Sequence, residues 1–266
     1  MHSPKNIVEL YSGEDLPVLF KGGFINFGYW NDSIIQENEI TYDQVTNANK
    51  ALYQKIADLI SIGKTDHVLE VGSGFGAGCA LISKLYTPHS ITGIDYFVSH
   101  VEHATQLHQE LVSQKKISFL HGKAENLPIP DQSIDKLVTL EAFQHFDPVK
   151  AIREFGRVLV DNGVLGISTF FALKKEFFNE ILQLLPRPAI LSDESDEKNA
   201  ALPEVIEALK ESDFHDIEVV SIGDHVWYGY DKWVKQNEPG IWDTNWLPAY
   251  QKGLLDYFII RAVRKR

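Results

Sequence analysis

The sequence predicts an α/β fold, a doubly wound and mostly parallel sheet with helices on both faces. Three observations predict it. Between about residues 67 and 171, short β-rich runs alternate with segments of helical period, an order that lays parallel strands side by side under crossover helices. The apolar run "HVLEV" leads into four glycines within seven positions, 72–78, as a strand-to-helix turn pressed against a ligand requires. Two late β-rich runs, "DIEVVSI" and "LDYFIIRAV", then offer strands to close the sheet.

The elements follow in order. Val68–Val71 is the first strand, and Ala77–Leu85 carries an apolar helical face. "SITGID" (90–95) is a second strand closed by an acid, and "SHVEHATQLHQELVSQ" has helical spacing through Val101, Ala104, Leu107 and Leu111. "ISFLHG" (117–122) alternates as a third strand, and "IDKLVTL" (134–140) is a fourth. "DPVKAIREFGRVLV" (147–160) opens with Asp147 as N-cap and Pro148 at the first helical position, and "GVLGISTFF" (163–171) is a fifth strand. Beyond it come a helical "KKEFFNEILQLL", a polar and mobile 191–200, and an amphipathic helix over 202–214. An aromatic-rich insertion at about 224–253 separates the two closing strands.

At 266 residues the chain suits one sizeable domain rather than two. The expected division is an N-terminal lid over 1–60 and a main domain over 61–266, with cap insertions at about 172–200 and 224–253. The formal charge of −12 argues against a nucleic-acid partner, whose phosphates demand clustered Lys and Arg. A single cysteine, Cys79, excludes a disulfide framework within the chain and favours a reducing, cytoplasmic setting. The first 20 residues lack a signal-peptide pattern, and no apolar stretch is long enough to span a bilayer. The expectation is a cytoplasmic monomer or homodimer acting on a small molecule.

Two ligands suit the glycine turn, a nicotinamide dinucleotide and S-adenosylmethionine. Gly72, Gly74 and Ala77 satisfy the G-x-G-x-x-A form of the dinucleotide fingerprint. Asp95, 23 positions beyond Gly72, can accept hydrogen bonds from both hydroxyls of a ribose. Glu70 separates the two, because an acid just before the turn repels a pyrophosphate and attracts a sulfonium and an ammonium. The start of the turn about 65 residues into the chain also leaves room for a lid.

Together "LEVGSGFGAG", "ITGID", "GKAENLPIPDQSIDKLVTLEAFQHF" and "EFGRVLVDNGVLGISTFF" resemble class I S-adenosylmethionine-dependent methyltransferases. The likeness is nearest to the small-molecule branch that includes tocopherol, sterol and natural-product sugar methyltransferases. It covers about residues 60–171 and extends to "GGFINFGYW" (22–30). It implies a Rossmann-like sheet of seven strands with the last strand antiparallel, S-adenosyl-L-methionine as cofactor and S-adenosyl-L-homocysteine as product. It further implies that Glu70, Gly72, Gly74 and Gly76 meet the methionine end and that Asp95 holds the ribose, with Ser73 and Tyr96 also among the cofactor contacts. Ala124 and Glu125 would lie against the adenine, and Leu140 and Glu141 would floor the site near the sulfonium. Lys123 stands where the family often has Asp, so Glu125 is expected to take over that acid's role.

Methyl transfer from a sulfonium is an in-line displacement that needs alignment, exclusion of water and, for some acceptors, a base. No H-E-x-x-H or C-x-x-C spacing suggests a metal. His145, in "LEAFQHF" after the fourth strand, is the candidate base or substrate-orienting group, against the alternative of a histidine packed at a helix end. Tyr29 and Trp30 either enclose the cofactor and substrate or anchor a lid by packing. The insertion holds four of the five tryptophans, which suits an apolar cap pocket, a cap core or a dimer interface. His225 and Tyr228 are candidate acceptor contacts there. The expected activity is methyl transfer to oxygen, nitrogen or carbon of a small, neutral or aromatic metabolite. The alternatives are a dinucleotide-dependent oxidoreductase, a regulatory protein that keeps the cofactor, and a cyclase on the same scaffold.

Overall fold

Helices and strands succeed one another as the apolar periodicity requires in the computed structural model, which describes residues 23–185, 200–237 and 245–265. After the short α1 (Asp32–Ile35), α2 (Tyr42–Leu59) starts at a capping box. There Thr41 Oγ1 accepts the Gln44 amide at 3.3 Å and Gln44 Oε1 accepts the Thr41 amide at 2.8 Å, so two otherwise orphaned donors are satisfied. Then follow β1 (His67–Val71), α3 (Ala77–Tyr86), β2 (Ser90–Asp95), α4 (Val98–Leu107), α5 (Gln109–Ser113), β3 (Ile117–His121) and β4 (Ile134–Leu140). A 3-10 turn (Phe143–His145) precedes α6 (Pro148–Val158) and β5 (Leu159–Ala172). The remaining described elements are a second 3-10 turn (Lys175–Phe177), α7 (Phe178–Leu184), α8 (Leu202–Glu211), β6 (Phe214–Ser221), α9 (Gly223–Asn237), α10 (Trp246–Gln251) and β7 (Leu255–Arg264).

The seven strands make one sheet in the order β3-β2-β1-β4-β5-β7-β6. The first five are parallel neighbours, and β7 inserts antiparallel between β5 and β6. Both faces are covered. Leu52 and Ile56 of α2, with Cys79 and Ile82 of α3, belong to one buried cluster, and Ile152 and Phe155 of α6 with Val205 and Leu209 of α8 belong to the other. This is why β4 and β5 are apolar in runs rather than alternating. The order reverses between β1 and β4, which opens a crevice beyond their carboxyl ends, where such sheets bind ligands.

Several boundaries differ from the periodicity for tertiary reasons. The helix expected over 147–160 ends at Val158, because Leu159 turns extended and pairs with Ile134, so β5 begins four residues before its predicted start. The single helix expected through 99–114 breaks at His108, whose ring Nε2 hydrogen-bonds the Phe75 carbonyl at 3.1 Å and so couples the break to the glycine turn. The described part of the aromatic insertion is helical, supplied by α9 and α10. Trp227 and Trp246 stack with centroids 5.3 Å apart, in a cluster with Phe27, Phe170 and Tyr257. These rings pack as core, not as the wall of an open pocket. Residues 1–22 of the expected lid and 186–199 of the expected cap and polar stretch lie outside the described residues.

Candidate active site

Beyond Val71 the chain passes through Gly72 (φ 82°), Gly74 (φ 51°) and Gly76 (φ 77°), all in the left-handed region where a side chain is strained. The Gly72 and Ser73 amides donate to the Ile94 carbonyl at 2.8 and 3.0 Å, pinning the turn to the end of β2. Space matters as much as φ. A Cβ on Gly72 would strike that of Ala142, and one on Gly76 would strike the Phe119 ring. The turn, the ends of β2 and β4 and the segment before α1 enclose a cavity of about 480 Å³, within the range of small-molecule sites. Its wall carries Asp95, Glu125, Glu141 and Asp147 against Lys123 and Lys150, an acidic excess that suits a cationic ligand and opposes a pyrophosphate.

Each acid is held differently. Asp95 Oδ2 accepts the Gly74 amide at 2.8 Å, while Oδ1 accepts the Phe97 amide at 3.0 Å and lies 3.1 Å from His100 Nδ1. Glu125 accepts the Asp147 amide at 2.8 Å, tying the loop after β3 to the start of α6. Glu70 is fully buried, its Oε1 accepting the Tyr53 hydroxyl at 2.8 Å and its Oε2 the Cys79 thiol at 2.9 Å. Burial pushes its carboxyl up to about 7 against the pull of those bonds. Burial likewise pushes Glu141 up to about 8, opposed by hydrogen bonds from the Tyr257 hydroxyl and the Phe27 amide. His145 lines the cavity, and burial holds its ring down at about 3, so the imidazole is neutral and its lone pair is an acceptor.

Residues 69–167 match the family model described as a methyltransferase domain. Over 86% of this chain and 74% of the relative, the sequence is 29% identical to an erythromycin 3''-O-methyltransferase of Saccharopolyspora erythraea. An O-methyltransferase of Aspergillus nomiae is 29% identical over 63% of this chain and 75% of its own length. The chain therefore carries a methyltransferase domain. Its fold agrees: a geranyl diphosphate C-methyltransferase of Streptomyces coelicolor, 13% identical, superposes with a TM-score of 0.80 over 99% of this chain and all of that one. A [4+2]-cyclase with a TM-score of 0.69, 19% identical over 91% of this chain and 88% of its own, has the same fold, which therefore does not by itself fix the reaction.

S-adenosylmethionine is the cofactor of this methyltransferase, and the cavity fits it. The glycine turn leaves a cradle that a Cβ at Gly72 would fill, and Glu141 Oε1 is buried with no hydrogen-bond partner. The structure brings most of the predicted site residues to this cavity: Gly72, Ser73, Gly74, Asp95, Tyr96, Ala124, Glu125, Leu140, Glu141 and His145 all line it.

Six predicted residues do not line it. Gly76 instead caps α3, packed under Phe119. Glu70 is sealed behind Tyr53, so any effect it has on a ligand passes through that phenol or through space. Trp30 is 1% exposed, its indole donating to the Phe27 carbonyl at 2.8 Å and seated over Gly229. Tyr29 stacks on His225 with centroids 4.5 Å apart and carries Lys55 over its ring. His225 also lies 3.3 Å from the Trp30 carbonyl, and Tyr228 faces Tyr250 at the surface. The contacts of Tyr29 and Trp30 with His225 and Gly229 fasten the N-terminal segment to α9.

Sequence reasoning missed Tyr53, His100 and Gly78 on the wall. Tyr53 belongs to no motif. His100, one helical turn beyond the predicted ribose acid, was the one that spacing could have flagged. Gly78 sits in ordinary helical backbone, yet a Cβ there would enter the Tyr53 ring.

Proposed function

We propose that this methyltransferase moves a methyl group from S-adenosylmethionine to a hydroxyl oxygen of a small metabolite. The observation that carries the reading is the acidic cavity at the carboxyl edge of the sheet, with the glycine turn and Asp95 on one side and Glu141 and His145 on the other. Bound there, the cofactor supplies an electrophilic methyl group on a sulfonium. The turn at Gly72–Gly74 would receive the methionine end, Asp95 the ribose hydroxyls, and Ala124 and Glu125 the adenine edge. His145, neutral and buried, would take the proton of the acceptor hydroxyl as the oxygen attacks. Oxygen is favoured over nitrogen or carbon because the two relatives described above are O-methyltransferases by name. The net charge of −12 and the lone buried Cys79 support a small acceptor over nucleic acid, and a reducing, cytoplasmic setting.

The test is calorimetric titration with S-adenosylmethionine, S-adenosylhomocysteine and NADH, followed by a screen of hydroxylated acceptors read by mass spectrometry. Binding of both sulfur ligands and a methylated product support the reading. Binding of NADH alone overturns it.

A further inference from the structure

Glu141 is built into the cavity in an unusual way. It is the first residue beyond β4 and stands at φ 53°, in the left-handed region, with a full side chain. Its backbone is fixed there, since its amide donates to the Ser168 carbonyl at 2.9 Å and its carbonyl accepts Gln144 Nε2 at 3.0 Å. The residue after it, Ala142, is the one a Cβ on Gly72 would strike, so Glu141 lies directly across from the glycine turn. Its carboxyl meets the Tyr257 hydroxyl and the Phe27 amide, and Oε1 has no hydrogen-bond partner although it is buried. Such an oxygen is waiting for a cation or a donor.

The charged and titratable groups around it leave it uncompensated. Burial pushes Tyr53 from α2 and Tyr257 from β7 up, with Glu70 the main neighbouring charge on Tyr53 and Glu141 on Tyr257, and His145 from the adjoining turn is neutral. Glu70 and Asp95, at the ends of β1 and β2, carry the same sign. The two lysines of the wall are engaged elsewhere, Lys123 over the Tyr96 ring at 5.2 Å and Lys150 with Asp147 at 2.9 Å.

We propose that Glu141 gives up a proton when the cationic cofactor enters, so that the enzyme distinguishes the sulfonium from the neutral thioether product by charge. The inference rests on the reading of this cavity as the cofactor site. A positive charge nearby favours the carboxylate, and the proton passes to solvent. The product keeps the ammonium and carboxylate of the cofactor and lacks only the sulfonium charge, so the protonation of Glu141 isolates that one difference. Burial holds the carboxyl at about 8 in the empty cavity, which leaves it largely protonated near neutrality. Product therefore meets an uncharged floor and cofactor a charged one.

The experiment is isothermal titration of the wild-type protein with S-adenosylmethionine and with S-adenosylhomocysteine, each in phosphate and in Tris, whose ionisation enthalpies differ. Near pH 7 the cofactor is expected to release most of one proton and the product almost none. The ratio of the two affinities should climb by up to about tenfold per pH unit toward pH ~8 and flatten above it. Glu141→Gln should abolish the release and the climb, and Glu70→Gln should keep both. Equal release with the two ligands, no release with the cofactor, or release surviving in Glu141→Gln overturns the inference while leaving the cofactor site intact. Failure of both ligands to bind overturns the cofactor site and the inference with it. The wild-type buffer series decides the matter even where Glu141→Gln does not fold.

Discussion

Replacing Tyr53 by Phe removes one hydroxyl and leaves the ring that packs against Gly78. The hydroxyl is the donor to Glu70 Oε1, and with the Cys79 thiol it satisfies a fully buried carboxyl. Glu70 stands at about 7 in the fold against 4.5 in an unperturbed chain. The sign follows from linkage: a carboxyl raised by folding favours the fold at low pH, and that stability is lost as pH rises from the unfolded value through the folded one. The shift corresponds to a loss on the order of 3 kcal/mol, complete above about pH 8. The Tyr53 bond holds that loss down, because it favours the ionised form. Its removal should cost about 1 kcal/mol near pH 5.5, where a neutral hydrogen bond is lost, and about 2–3 kcal/mol near pH 8.5, where the bond lost is to a charge. Urea denaturation of wild type and Tyr53→Phe at the two pH values measures both. Equal costs at the two, or a variant more stable than wild type at the higher pH, would refute the account of this buried pair.

Gly229→Ala should lower stability by about 1–3 kcal/mol, since its Cβ would enter the Trp30 indole; thermal melts check this, and cofactor affinity should stay within about twofold if Trp30 is only packed. Asp95→Asn should weaken cofactor binding by at least about tenfold, or ~1.4 kcal/mol, with little thermal loss because the amide oxygen can still accept the Phe97 or Gly74 amide. An unchanged Kd by calorimetry would remove Asp95 from the ribose role. His145→Gln should lower kcat by about 10²–10⁴ with cofactor Kd unchanged, and surviving turnover in a steady-state assay would make His145 a bystander. Gly72→Ala should abolish binding of both sulfur ligands, because φ 82° and the Ala142 contact leave no room for a side chain.

What the sequence by itself determined is local. The strand-to-helix turn at 72–78, the acid at the end of "SITGID", and the Asp147–Pro148 helix start were set by glycine conformations, strand alternation and capping, all of which act between near neighbours in the chain. Repetition of those units then dictated a doubly wound sheet, because apolar strands in parallel order must be covered on both faces. Tertiary structure decided who meets whom. Tyr53 reaches Glu70 across 17 positions and Trp30 docks on α9 near His225, 195 positions away; neither pairing leaves a periodic trace. The same packing took Trp30, Tyr29 and His225 away from the cavity, since aromatic rings gain more from packing against one another than from an open wall, and it left Tyr228 at the surface. It also seated Glu141 in a left-handed turn facing the glycines. A carboxyl's titration depends on what surrounds it in three dimensions, and the chain records only that the carboxyl is there.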